Sequence, residues 1–180
     1  SYGFSSTNDV AGWGSPDLLD TANAVTDTLM FVDDGSTGST VGLSAAVDSA
    51  VLGCDSVIND LTGKIAVIYR GNCQFGTKIQ NAEDAGAIAA IIINTSVSQT
   101  GLINMAPGDD GDSVSIPAIF VDEITGATIA NEMANGPVVA FIGSRIYNYN
   151  LSIREYGIVR PKSATIPKAL AQDASEYSVQ

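Results

Sequence analysis

Between Gly63 and Asn94 the spacing of apolar residues changes twice. Residues 64–69 (KIAVIY) form a nearly continuous run of β-branched, apolar and aromatic side chains, the pattern of a strand buried on both faces. Gly71-Asn72 interrupts it. From Phe75 the period lengthens: Phe75, Ile79, Ala82 and Gly86 fall at i, i+4, i+7 and i+11, while Lys78, Gln80, Asn81, Glu83 and Asp84 occupy the other faces. That spacing predicts a helix with one apolar stripe, and Gly86 suits its left-handed stop. Residues 88–93 (IAAIII) predict a second buried strand. The unit is β-α-β, so its two strands should lie parallel in one sheet.

Elsewhere the same logic predicts strands over 27–33 (DTLMFVD), 116–121 (IPAIFV) and 138–143 (VVAFIG). Residues 41–52 fit a strand or a loop. Asp122 should cap a helix that turns Ile124, Ala127, Thr128 and Met133 inward and stops at Asn135-Gly136. Residues 94–115 form a long polar excursion, a length that usually signals function or mobility. Residues 1–24 show no sustained periodicity, although Trp13 and Phe4 suggest that the segment packs down. The alternation of strands and helices gives a mixed α/β class. Three regions follow: a flank over 1–24, a domain over 25–143, and a C-terminal strand plus linker over 144–180.

Composition sharpens that boundary. The chain has 180 residues, 8 basic and 20 acidic, for a net charge of -12. Residues 1–143 hold 3 of the basic and 17 of the acidic residues, whereas 144–180 hold 5 and 3. Nucleic-acid and anionic-membrane partners are disfavoured, since both require a basic face. No apolar run approaches the length of a membrane span, so no membrane insertion is expected. The chain lacks both an initiator Met and a basic-then-apolar leader, and it reads as a mature or excised piece. There is no histidine, which removes the common general base, the Ser-His and Cys-His nucleophile pairs and the usual zinc ligand. No GxSxG, GxxxxGK[ST] or GxGxxG motif occurs.

The stretch GKIAVIYRGNCQFGTKIQNAEDAGAIAAIIIN is similar to the signature of the protease-associated (PA) domain family. Gly63, Lys64, Ile65, Arg70, Gly71, Cys73, Phe75, Lys78, Ala82, Gly86 and Ala87 stand at matching places. IPAIFVDEITGATI, over 116–129, resembles the family's second block. The nearest flavour is the PA domain of secreted bacterial metallopeptidases of the fungalysin type. The resemblance implies a swivelling β/β/α fold, an open β-barrel or sheet flanked by two or more short helices. It implies a non-catalytic module that binds peptide or protein, or gates substrate access, for an attached peptidase domain. It also implies a secreted, extracellular setting.

Cys54 stands where the family often places the partner of the turn cysteine, Cys73. The even count and the acidic composition agree with a disulfide, against the alternative of two buried free thiols. Recognition is expected on the turn carrying Arg70, Asn72 and Phe75, together with Asn104, Met105, Asp109 and Asp110 of the long loop. Arg70 either anchors its turn or faces a peptide carboxylate or carbonyl. No cofactor is implied. Asp109, Asp110 and Asp112 offer a calcium alternative on a flexible loop, set against a solvated acidic turn. Two other functions compete. One is a structural or dimerisation module, with Tyr147, Tyr149, Leu151 and Ile153 pairing to a second copy in a homodimer. The other is a self-sufficient hydrolase using acidic residues.

Overall fold

The computed structural model describes residues 3–39, 47–95, 99–144, 151–153 and 159–161. Two units form: Ser1–Ser144 and Arg145–Gln180. The first contains β1 (Ser5–Ser6), β2 (Val25–Phe31), β3 (Ile65–Tyr69), α1 (Phe75–Asp84), β4 (Ala89–Ile93), β5 (Ala118–Val121), α2 (Glu123–Asn135) and β6 (Val139–Ile142). Within the second, β7 (Leu151–Ile153) pairs antiparallel with β8 (Val159–Pro161). Tyr147 and Tyr149 lie outside the described residues.

The main sheet runs β1-β5-β4-β3-β2-β6. Strands β2 to β5 are mutually parallel, as the β-α-β pattern requires, with antiparallel β1 and β6 at the edges. Strand β2 is shared along its length: Val25 to Thr28 pair with β6, while Leu29 to Phe31 pair with β3. This division curls the sheet into an open half-barrel.

The continuous apolar runs are explained by two cores, one on each face. Ala66, Ile68, Ala90, Ile92, Ala118 and Phe120 point to the α1 side and meet Ile79 and Ala82. Ile65, Val67, Ala89, Ile91, Ile93, Ile119 and Val121 point to the other side, with Ile129 and Met133 of α2 packed against them. Period-two alternation within a fully apolar strand therefore assigns every residue to one core or the other.

The N-terminal flank is part of this sheet. β1 pairs with β5, Trp13 packs against the α1-side core, and Trp13 Nε1 donates to the Met105 carbonyl at 3.1 Å. Phe4 remains 43% exposed, so only Trp13 of the two packs down. Residues 49–52 form a 3₁₀ turn capped by Asp48, whose side chain accepts from Ala50 N–H. Residues 40–46 lie outside the described part.

Helix α2 turns only part of the expected face inward: Met133 packs on the core and Thr128 is half-buried, but Ile124 and Ala127 point outward. Its cap is Asp122, which accepts from Thr125 N–H at 2.7 Å. Ile124 is 80% exposed and Ala127 is exposed, whereas Thr125 and Gly126 are buried. The reason is close approach: a Cβ on Gly126 would lie 2.1 Å from Ile93 Cγ2. The missing side chain draws the helix onto β4 and rotates Ile124 into solvent. Gly126→Ala is expected to lower stability by about 1–3 kcal/mol through overpacking, despite alanine's better helix propensity. Denaturant unfolding checks this, and an unchanged midpoint would mean that α2 slides freely on β4.

Candidate functional site

Arg70 stands where β3 ends, beside the ends of β4 and β5 and the start of α2. Its guanidinium donates to Asn94 Oδ1 at 3.1 Å and to Gln99 Oε1. Its carbonyl accepts from Thr95 Oγ1 at 2.8 Å. Burial lowers the Arg70 pKa, and nearby Glu123 opposes that shift. Glu123 Oε2 in turn accepts from Gly101 N–H at 3.0 Å. Arg70 therefore does the anchoring work: it ties the turn after β3 to the loop after β4. The half-buried side chain still reaches the surface at the rim of the parallel strands.

The turn itself is tight. Gly71 has φ +146°, and Asn72 has φ +57°, the left-handed region that asparagine tolerates better than most side chains. Asn72 is exposed. Phe75 is half-buried and meets Phe120 edge to face at 5.9 Å, so most of its ring serves the core.

The long loop is stitched to this turn. Gln74 Oε1 accepts from Asp109 N–H at 2.8 Å, Gln74 Nε2 donates to Asp109 Oδ2 at 3.3 Å, and Thr77 Oγ1 donates to Asp110 Oδ2 at 2.6 Å. Gly76 permits the contact, since a Cβ there would lie 2.2 Å from the Pro107 carbonyl oxygen. Gly14 N–H donates to the Gly111 carbonyl from the other side. Asn104 and Asp109 are exposed. Met105 is fully buried, however, and belongs to the core rather than to any contact surface. Its unbranched side chain fills the gap beneath the loop.

Among the described residues no three Asp, Glu or Cys side chains are grouped to hold a metal ion. Asp110 Oδ2 accepts from the Thr77 hydroxyl at 2.6 Å, and Asp112 Oδ1 accepts from Ser113 Oγ at 3.4 Å.

Behind the turn, Cys54 and Cys73 are bridged, with Cα atoms 5.7 Å apart. Replacing both by serine is expected to cost about 3 kcal/mol by releasing the enclosed loop in the unfolded chain. Thermal unfolding with and without reductant checks this; equal midpoints for the double variant and the native chain would contradict it.

Beside the bridge lies the residue that the periodicity misplaced. Lys78, assigned to the wet side of α1, is completely buried. Its Nζ donates to the Leu52 carbonyl at 2.6 Å and lies 3.4 Å from Cys54 Sγ. Burial pushes its pKa down to about 7, with the Asp34 carboxylate pulling the other way. Asp34 is itself buried. Burial raises its pKa, but the Ser36 side chain and the N–H groups of Ser36, Asp55 and Cys54 outweigh that and hold the carboxyl below its usual range. A one-stripe helical pattern assigns a lone lysine to solvent, and only the match of Lys78 to the family signature singled it out.

Residues 21–129 match the PA domain family. This chain belongs to that family. The PA domain is 32% identical over 139 residues to aminopeptidase YwaD of Bacillus subtilis, covering 77% of this chain and 29% of that protein. It is 36% identical over 89 residues to signal peptide peptidase-like 2 of Arabidopsis thaliana, covering 48% and 16%. It is 38% identical over 84 residues to the human ER degradation-enhancing alpha-mannosidase-like protein 3, covering 43% and 9%. The chain thus spans less than a third of the length of each of these relatives. Among the described residues no helix is long and apolar enough to cross a membrane.

Proposed function

We propose that this PA domain is a non-catalytic protein- or peptide-interaction module of a larger extracellular peptidase, contributing substrate recognition or access gating. The observation that carries the proposal is the stitched surface formed by the turn after β3 and the 104–112 loop. Two segments distant in sequence are locked together by Gln74, Thr77 and Gly76, and they present Asn72, Asn104 and Asp109 to solvent. Loops held rigid on a scaffold usually carry recognition, because little ordering entropy is lost on binding. Relatives named as an aminopeptidase and a signal peptide peptidase-like protein support a peptidase parent. A relative named as an alpha-mannosidase-like protein supports a module whose role is separable from any one chemistry. The disulfide supports the extracellular setting.

Arg70→Ala is expected to weaken binding of a peptide library by about tenfold or more, through loss of a charge-assisted hydrogen bond and of the loop it anchors. Fluorescence polarisation with the full chain measures it. The same chain incubated with casein should release no fragments. Binding that survives both Arg70→Ala and Gln74→Ala would move recognition to another face, and turnover of casein would overturn the non-catalytic reading.

A further inference from the structure

We propose that the Cys54–Cys73 bridge is a thiol–disulfide exchange site, in which a dithiol attacks Cys73 Sγ and Cys54 leaves as a thiolate held by Lys78. The two sulfurs have different surroundings. Cys54 is fixed: its backbone N–H donates to Asp34 Oδ2 at 2.9 Å, and its Sγ lies 3.4 Å from Lys78 Nζ. Both cysteines are half-buried; Cys73 sits on the turn between exposed Asn72 and Gln74, whereas Cys54 Sγ is additionally flanked by the Gly71 carbonyl oxygen at 3.7 Å.

A bridged sulfur is a poor acceptor, so in the oxidised protein a completely buried amine is aimed at a partner that returns little. Reduction changes that partner into an anion. One Lys78 N–H is already committed to the Leu52 carbonyl and another faces Cys54 Sγ. The Asp34 carboxylate, on the same side, is engaged by the backbone N–H groups of Ser36, Cys54 and Asp55. Lys78 is thus arranged for the reduced state.

The reaction balances as follows. The first thiolate of the dithiol bonds to Cys73 Sγ, the Cys54–Cys73 bond breaks, and its electron pair goes to Cys54 Sγ beside the Lys78 ammonium. The second thiol of the reagent, losing its proton to solvent, attacks its own partner sulfur. Cys73 leaves as a thiolate that takes a proton from solvent, and the reagent departs as its disulfide. A leaving group stabilised by a cation departs faster and recombines less readily. The product is a domain whose turn over 71–74 is no longer covalently tied to the segment at 54.

The deciding experiment uses the native chain and a monothiol, glutathione, with acid quenching and peptide mass spectrometry. The mixed disulfide is expected on Cys73 in at least tenfold excess over Cys54; an adduct on Cys54, or equal adducts, would overturn the proposal. In dithiothreitol redox buffers, Lys78→Met is expected to make the bridge at least tenfold harder to reduce at equilibrium. An unchanged equilibrium constant in folded Lys78→Met protein would also overturn it. If that variant does not fold, the thiolate absorbance of Cys73→Ser decides: half-ionisation of Cys54 below pH 7.5, at least a unit under the ordinary thiol value near 8.5, supports the proposal, and half-ionisation at or above pH 7.5 refutes it.

Discussion

Folding stability is expected to rise by about 1 kcal/mol per pH unit between pH 7 and 10, relative to a Lys78→Met variant. The sign follows from the depressed pKa. Lys78 titrates near 7 in the folded chain and from its ordinary value of 10.5 once unfolded. Below pH 7 both states carry the proton, and the cost of burying the ammonium is borne in full. Between 7 and 10.5 the unfolded state binds one proton more than the folded state, so raising the pH favours folding. Above 10.5 neither state holds it and the dependence ends. Every other ionisable group is present in both proteins and cancels in the comparison. With only two cysteines, both in the bridge, alkaline pH has no free thiol with which to reshuffle it. Urea unfolding at half-unit pH steps gives the slope. Parallel curves for the native chain and Lys78→Met would show that the amine is better hydrated than its burial implies. Should the variant fail to fold, the Lys78 13Cε chemical shift in the native chain reports the same titration.

Phe120→Ala is expected to cost about 3–5 kcal/mol, a large part of the stability of a domain this size. Phe120 is fully buried on β5 at the centre of the α1-side core, and its ring takes the edge of Phe75 from the first turn of α1. Truncation removes the transfer energy of the ring and leaves a cavity that close-packed β4 and β5 cannot fill. It also releases Phe75, which positions the turn bearing Cys73. A loss below about 1 kcal/mol by chemical denaturation would mean that the core collapses around the gap. Phe75→Ala, at a half-buried site, should cost less than Phe120→Ala, and the two losses should not add because they share one contact.

Much of the first unit is legible in the residue pattern. Strands β2 to β6 and both helices lie within a few residues of their expected bounds, because two-sided burial demands unbroken apolar runs and a surface helix demands a stripe. The capping role of Asp122 and the left-handed stop at Gly86, where φ is +96°, are equally local. The β1 strand was not legible. Two residues, Ser5 and Ser6, carry no period, and their pairing with β5 depends on a sheet edge more than a hundred residues away. The buried face of α2 was legible only in part, since a glycine contributes nothing to an apolar stripe yet sets the closest approach to the sheet.

The candidate site divides in the same way. Arg70, Asn72, Cys73 and Asp109 were identifiable as residues, but their assembly depends on Gln74, Thr77 and Gly76, whose partners come from a loop some thirty positions on. Met105 shows the converse, a loop residue that the core claims. By itself the sequence determined the β-α-β unit and its parallel strands, because periodicity and turn chemistry act between near neighbours. It also carried the family match that implied the cysteine pair. Tertiary structure alone decided that the Lys78 amine lies dry against a sulfur, because burial depends on what the rest of the chain lays over a helix face.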